Sequence, residues 1–335
     1  MKKSLIYLFS LLCLLTLATS CSDDEKGSSD EALKEISKEY SSSDISLGAI
    51  STSGSITVNA ISSDKATIVL KNVIAGEASV SVDAVLTKTD KGFAFEGEST
   101  ATTCKVKVSG TIEDGKVNVA VNRTLTSALT GTLNLNYIPA PGGKGLMAQA
   151  HAFFNTGNAQ MDGMLNVAAA PVVGQLIAKE VESVAVNLGE EGTFSFSFKE
   201  VGDSEETVMP PVKLQEMIKS YLTWYEKENV LYLAVHKDAL TILGGLDIIP
   251  AGIDLEKFLG LLTVEGDYYA IPLHLKEDKG LITVYLDKDI LVKAWDLTKP
   301  FIDKIPGDNM QAILDMINKV MASAKEIEVG LVFKK

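Results

Sequence analysis

Three histidines are the first residues to consider for acid–base or metal chemistry, and they are His151, His236 and His274. No two of them have the i, i+4 spacing of a helical zinc site. His274 alternates with two inward leucines and His236 shares a strand face with Tyr232, so both are predicted to be exposed strand histidines. His151, in the run QAHAFF, has no predictable position. We therefore predict no catalytic residue and no metal site.

Two carboxylates, Asp287 and Asp289 in the run LDKDI, are close enough in sequence to act together. Paired carboxylates serve glycosidases, but a turn residue beside a helix N-cap explains the same pattern. No G-x-S-x-G nucleophile turn occurs, and PGGKG lacks the spacing and the Ser or Thr of a phosphate-binding loop. No cofactor is predicted. An enzyme acting on glycans or lipids through an unmarked carboxylate site stays open as an alternative.

The aromatic run YLTWY offers surfaces for stacking on a sugar or a lipid. Two prolines precede a predicted helix in which Tyr221 and Tyr225 lie on the apolar stripe with Ile218, which predicts that they pack in the core. Trp224 lies off that stripe. We therefore predict that Trp224 contacts a ligand at the surface.

The N-terminal residues predict a cellular address. Lys2 and Lys3 precede an apolar run from Leu5 to Leu17, which is short for a membrane span of about 20 residues. Small residues then lead to Cys21 and to the acidic run of residues 22–25. An ordinary cleaved signal followed by a solvated linker is the alternative interpretation.

This segment resembles a Gram-negative lipoprotein signal with its lipobox, although Ala18 replaces the commoner leucine three residues before the cysteine. The resemblance implies a signal peptide over residues 1–20, cleavage before Cys21 and acylation of Cys21. Several acyl chains hold a protein on a membrane lastingly. The acidic run resembles the surface-export tag of gut-anaerobe lipoproteins of the Bacteroidetes type. That resemblance implies an outer-membrane lipoprotein exposed at the cell surface.

Composition limits the partners of the protein. The 335 residues carry a formal net charge of −13, with 31 Lys and Arg against 44 Asp and Glu. This balance argues against nucleic acid, whose phosphates require basic patches. Once Cys21 is consumed by lipid, Cys104 is left alone, so no internal disulfide is expected. Cys104 alternates inward with Val106 and Val108, which predicts a core position.

Period-two alternation extends over residues 45–138. About seven short strands, separated by turns such as Asp114-Gly115, predict an all-β, antiparallel, barrel-like domain. The runs SGSITVN and TGTLNLN echo each other, as paired first and last strands would. The predicted interior is apolar: Ile56, Val58, Ile68, Leu70, Val80, Val82, Phe93, Phe95, Val106, Val108, Val119, Leu133 and Leu135. Because no charged residue is among them, we predict an apolar guest in contact with Val82, Phe93, Phe95 and Val119.

The order of the runs GSITV, ATIVLKNVI, VSVDAV, GFAFEGES and KVKVSGTIEDGKVNVAV resembles the calycin-like, lipocalin-type β domains of gut-anaerobe lipoproteins. The resemblance covers residues 46–138. It implies an eight-stranded cup, which encloses space for side chains or for one small ligand.

The other segments predict different structures. Residues 21–44 are acidic and Ser-rich, which predicts a tether, and PAPGGKG predicts a linker over residues 139–171. Residues 172–335 mix helical and strand periodicities, which predicts an α+β domain with helices on an antiparallel sheet. Within it, Asp254 and Asp308 are predicted helix caps.

These observations predict a non-catalytic cell-surface lipoprotein. Its predicted partners are the outer membrane, through the lipid on Cys21, and either an apolar small molecule or a surface protein. A structural or adhesion component of a surface complex is a further alternative.

Overall fold

The computed structural model of the chain describes residues 27–143, 145–211, 215, 218–239, 258–302 and 310–335. The predicted lipidation site Cys21 and the predicted helix caps Asp254 and Asp308 lie outside these residues and stay predictions. The described part is mostly β, with a nearly closed, barrel-like sheet and a second, larger sheet.

Six long consecutive strands make up most of the first sheet. Helix α1 (Gly27–Ile36) and the two-residue strands β1 (Glu39–Tyr40) and β2 (Ile45–Ser46) precede them. The long strands are β3 (Ser55–Ser62), β4 (Lys65–Ile74), β5 (Glu77–Lys88), β6 (Gly92–Thr100), β7 (Cys104–Glu113) and β8 (Lys116–Leu125). Each long strand pairs antiparallel with the next long strand. The order of the whole sheet, with β1 and β2 at its edges, is β1-β3-β4-β5-β6-β7-β8-β2. Alternating apolar and polar side chains place one face of this sheet in a core.

The short segment over residues 39–46 bridges the two edge strands of the nearly closed barrel. Strand β1 pairs antiparallel with β3, whereas β2 pairs parallel with β8, so one stretch of chain hydrogen-bonds to both edge strands. Tyr40 in this segment is 1% exposed and packs in the barrel core. Its hydroxyl donates to the Ile36 carbonyl at 3.1 Å. Residues 39–46 therefore belong to the barrel, and the tether predicted to extend to residue 44 ends earlier.

Side chains fill the interior of the barrel. The predicted inward residues on β3 to β8 are all buried. A Cβ built on Gly110 would lie 2.7 Å from Cζ of Phe95, and one built on Gly97 would lie 2.9 Å from Cγ1 of Val82. Both side chains therefore occupy the space over a glycine of a neighbouring strand. A barrel of about eight strands has room for little more than its own side chains.

Cys104 confirms the predicted strand register, since it is fully buried and pairs across the sheet with Leu125. Burial raises the pKa of its thiol, so the reactive thiolate is scarce at neutral pH. We expect Cys104 to resist a maleimide reagent in the folded protein and to react fully in urea, as followed by mass spectrometry. Rapid modification of the folded protein would contradict the inward position, because a slip of one residue reverses every side chain.

The second sheet is larger and more irregular. In chain order the remaining strands are β9 (Gly131–Leu135), β10 (Tyr137–Pro139), β11 (Leu146–Ala148), β12 (Ala150–Asn155), β13 (Val181–Leu188), β14 (Phe194–Glu200), β15 (Thr207–Met209), β16 (Leu222–Lys227), β17 (Val230–His236), β18 (Thr263–Glu265), β19 (Tyr268–Asp278), β20 (Leu281–Asp287) and β21 (Glu326–Lys334). Strands β10 and β11 form a separate hairpin. Among the described residues the others form one sheet in the order β15-β14-β13-β9-β21-β20-β19-β17-β16, with β12 beside β21 and β18 beside β19.

Strand β9 departs from the prediction, which places Leu133 and Leu135 inside the barrel and pairs their strand with the first one. Instead β9 pairs with β13 and β21 of the second sheet. Alternation predicts which side of a strand is buried, but it does not say which sheet the strand joins. The segment predicted as a linker, residues 139–171, likewise contains β11 and β12 and leads into a helix.

Among the described residues, the long helices beside the second sheet are α2 (Ala159–Glu180), α3 (Lys288–Ile302) and α4 (Met310–Ser323). Asn158 caps α2, with its side chain accepting hydrogen bonds from the first-turn amides. Asn166 then bonds both the N–H and the carbonyl of Phe154 on β12, at 2.7 and 3.1 Å. Gly174 lies against the carbonyl of Ala148 on β11. These contacts tie α2 to the two strands that precede it.

Helix α2 also carries exposed apolar side chains on more than one side, namely Met164, Val167, Val172 and Leu176. By length and composition alone, α2 is long and apolar enough to cross a bilayer, and it is the one helix among the described residues of which this holds. Only 6% of its apolar window is buried.

Residues 222–227 form strand β16, whereas the sequence predicts that a helix continues to Tyr225. Strand β16 pairs with β17 through a turn at Glu228 and Asn229, both of which have positive φ. This apolar segment is equally suited to a strand. Pairing with β17 buries Trp224 and Tyr225 on opposite faces of the sheet.

Candidate functional site

A cavity of about 430 Å³ lies where the mouth of the barrel meets the second sheet. Its apolar wall comes mainly from the barrel and consists of Leu47, Ile50, Val73, Ile74, Ala75 and Val121. Its polar wall combines the end of β8 with the second sheet, through Asn122, Arg123, Thr124, Glu191, Thr193 and Thr223. A pocket of this size that joins apolar surface to a few polar groups has the composition of a small-molecule site.

Arg123 is the single arginine among the 31 basic residues of the chain. It follows Val117, Val119 and Val121 in the inward series of β8, and it pairs across the sheet with Val106. The inner face of β8 therefore carries a guanidinium between Val121 and the buried Leu125, beside the mouth of the barrel.

The guanidinium of Arg123 is poorly compensated. Its Nη1 is fully buried and has no hydrogen-bond partner among the described residues. Within that part of the chain, no ion pair joins it to a carboxylate, and the groups that raise its pKa are Tyr268, Cys104 and Tyr225. Burial nevertheless lowers the pKa of Arg123 overall. A guanidinium stays protonated in proteins, so the cavity wall carries a buried positive charge.

A turn of the second sheet holds the guanidinium in place. The carbonyl of Glu190 accepts the hydrogen bond of the Leu125 amide at 2.7 Å, which joins the β13–β14 turn to the end of β8. Gly192 in this turn has a φ of +86°, and a Cβ there would collide with Nη2 of Arg123. Glycine is required at this position both for the backbone conformation and for the room that Arg123 occupies.

Two carboxylates hold the opposite edge of the cavity, the loop after β2, against the second sheet. Asp238 accepts from the amide and hydroxyl of Ser51 at 2.7 and 2.9 Å. Asp267 accepts from the amide and hydroxyl of Ser53 at 2.6 and 2.7 Å, and from Lys237 at 2.5 Å. Burial alone would raise the pKa of Asp267, but these hydrogen bonds outweigh it and lower that pKa. The two sheets are therefore joined by charge-assisted hydrogen bonds beside the cavity.

The predicted ligand contacts inside the barrel do not form a site. Val82, Phe93, Phe95 and Val119 are buried in the barrel core, and none of them lines the cavity. The prediction of an apolar cup with no charged residue is therefore wrong for the interior, which its own side chains fill. The open space lies at the mouth, and a charged residue borders it.

The predicted surface role of Trp224 is also wrong, since this side chain is 0% exposed. Its indole N–H donates to the carbonyl of Gly189 at 2.9 Å, and its backbone amide donates to the carbonyl of Gly192 at 2.8 Å. Trp224 therefore supports the turn that lies against Arg123.

The histidines have different environments. His236 is 1% exposed, contrary to the prediction, and lies between the rings of Tyr221 and Tyr268, where burial lowers its imidazole pKa. His274 and His151 flank Tyr285, at centroid distances of 5.4 and 5.5 Å. His274 and Tyr285 face each other on the adjacent strands β19 and β20, whereas His151 on β12 reaches Tyr285 across Gly330 of β21.

Carboxylates partner both of the outer histidines. Glu328 lies 2.7 Å from Nε2 of His151, and Asp287 lies 3.1 Å from Nε2 of His274. Asp287 also accepts from the Ile290 amide at 3.1 Å, so it caps α3, as the alternative to a paired-carboxylate site expects. Among the described residues, no group of three or more His, Cys, Asp or Glu side chains is placed to hold a metal ion.

Arg123 is not among the predicted site residues, although two signals in the sequence point to it. The inward alternation of β8 continues two residues beyond Val121, and the residue found there is the single arginine of a lysine-rich chain. The predicted inward residues are all apolar, so the charged residue at position 123 is not among them.

No protein-family model, no curated protein and no solved structure matches this chain. The cavity and the charges that line it are therefore the observations that bear on function.

Proposed function

We propose that this protein is a non-catalytic, lipid-anchored binding protein of the outer membrane that holds a small molecule at the mouth of its barrel. The proposal keeps the surface-lipoprotein interpretation of the N-terminal residues and the calycin-like interpretation of the first domain. It also keeps the α+β interpretation of the second domain, with α2 to α4 packed on its sheet. It replaces the interior cup with the cavity between the two sheets.

The observation that carries the proposal is the cavity of about 430 Å³ with one apolar and one polar wall. Small-molecule sites commonly measure about 300 to 1,000 Å³ and combine apolar surface with a few placed polar groups. Both walls are held in position by hydrogen bonds between the sheets, through Glu190, Asp238 and Asp267. A preformed pocket loses little conformational entropy on binding.

The alternative of a carboxylate enzyme has less support. Acid–base hydrolysis of a glycoside uses two carboxyl groups that face each other across the substrate. Glu191 is the one carboxylate among the described residues that line the cavity. Asp287, the other sequence candidate, caps a helix.

The alternative of a structural or adhesion component is favoured by one observation, the exposed apolar side chains of α2. Met164, Val167, Val172 and Leu176 are each more than half exposed on one helix. Exposed apolar surface on a helix can mark a contact with a protein or a membrane.

Native mass spectrometry of the protein purified from its own host tests the proposal. We expect a small-molecule adduct on the wild type and its loss in the variant Val121→Trp, because the indole fills the cavity. The matched control is Val85→Trp, since Val85 lies on the outer face of the same barrel and is 61% exposed. The control should keep the adduct. An adduct that survives Val121→Trp would overturn the proposed site, and a protein partner in place of an adduct would support the adhesion alternative.

A further inference from the structure

We infer that Arg123 anchors the head group of a monoanionic amphiphile, a ligand with one carboxylate or sulfonate on an apolar body. This inference rests on the proposed binding function and names the chemistry of its ligand. It starts from the guanidinium at the barrel mouth and from the two walls of the cavity.

The first argument is the lack of compensation for Arg123. A buried charge is normally paired, because removing it from water costs several kcal/mol that only an opposite charge and hydrogen bonds offset. Nη1 of Arg123 is fully buried, and it has no partner among the described residues. The side chain lines the cavity, so an oxyanion bound there would bring an opposite charge close to the guanidinium.

The second argument is the planar shape of the Arg123 guanidinium. A guanidinium presents parallel N–H groups that match the two oxygens of a carboxylate or sulfonate, which lysine cannot do. The chain carries 30 lysines and places its one arginine at this cavity. Gly192 leaves the space into which Nη2 extends, and the β13–β14 turn holds the end of β8 beside it. The guanidinium therefore lies against the β13–β14 turn.

The third argument is the charge of the ligand. The charged residues among the lining are Arg123, Lys219 and Glu191. Glu191 repels any anion, and at the same distance it repels a phosphate dianion about twice as strongly as a monoanion. The ligand is therefore expected to carry one negative charge.

The fourth argument is the apolar part of the cavity lining. Leu47, Ile50, Val73 and Ile74 belong to this part, within the same cavity. Apolar contact with them contributes about 25 cal/mol per Å² removed from water. A ligand with one anionic end and an apolar body contacts both walls at once.

The test uses two fluorescent probes that share their aromatic rings and differ in the anionic group. They are 1-anilinonaphthalene-8-sulfonate, which is a monoanion, and N-phenyl-1-naphthylamine, which is neutral. We expect the anion to bind the full chain with one site and the neutral probe to bind about 10- to 100-fold more weakly, as the loss of a charged hydrogen-bonding pair predicts.

Variants of Arg123 separate the anchor from the cavity. Arg123→Met should reduce the affinity for the anion to that for the neutral probe, and Arg123→Lys should recover only part of it. The control Lys105→Met removes an exposed lysine on the neighbouring strand and should change neither affinity. Equal anion binding by wild type and Arg123→Met would overturn the anchor, while leaving the proposed binding function intact.

Two further measurements keep the outcomes distinct. Val121→Trp should remove the binding of both probes, and if it removes neither, the proposed cavity function fails along with the anchor. The urea midpoint of Arg123→Met reports on folding. Removal of an unpaired buried charge should leave that midpoint unchanged or raise it. A fall in the midpoint would mean that Arg123 is a structural residue, which would overturn the inference.

Discussion

Replacing Trp224 with alanine is expected to lower the free energy of unfolding by about 3 to 5 kcal/mol, the usual loss for a large aromatic core side chain. Trp224 is fully buried and donates its indole N–H to Gly189. The substitution leaves a cavity and removes one of the two hydrogen bonds that the Gly189 carbonyl accepts, the other coming from the Gly192 amide. The shift of the urea unfolding midpoint measures the effect.

A matched control separates this loss from a general effect of removing a tryptophan. Trp295 is the other tryptophan of the chain, and it is partly exposed on α3, where its indole donates to Asn318 at 2.8 Å. Trp295→Ala should shift the midpoint less. If Trp224→Ala leaves the midpoint unchanged and only weakens ligand binding, Trp224 has the surface role that its burial argues against.

The second large effect concerns location. Replacing Cys21 with alanine is expected to move the protein from the membrane fraction to the soluble fraction of its host, because the variant has no thiol to acylate. Each buried CH₂ of an acyl chain contributes about 0.8 kcal/mol, and more than one chain is needed for stable attachment. Fractionation followed by immunodetection measures the distribution.

The control for this experiment makes the same substitution at another cysteine. Cys104 is buried in the barrel, so Cys104→Ala should leave the protein in the membrane fraction. A Cys21→Ala variant that stays with membranes would contradict the anchor. The exposed apolar side chains of α2 would then be the next candidate for the membrane contact.

Some features of the fold could be predicted because they depend on local geometry. Successive side chains of a strand point to opposite faces, so period-two alternation places Cys104, Phe95 and Val82 in a core without knowledge of any partner strand. The same rule would have placed Arg123 on the inner face. The turn at Asp114-Gly115 is local as well, since both residues have positive φ.

Other features depend on which distant segments meet. The sequence of β9 is as suitable for the barrel as for the second sheet, and pairing with β13 and β21 decides between them. The segment containing Trp224 and Tyr225 is compatible with a helix, but pairing with β17 makes it a strand. Tertiary contacts outweigh local propensity in such cases, because the energy of burial exceeds the small preferences of single residues.

The candidate site shows the same division. By itself, the sequence determined that the chain has one arginine, an acidic balance, a lipoprotein-like N-terminus and a series of half-buried strands. Only the tertiary structure decided that side chains fill the barrel and that the second sheet covers its mouth. It also decided that no described carboxylate pairs with Arg123. The presence of a charge is a property of one residue, whereas its compensation depends on every group that folding brings within a few ångströms of it.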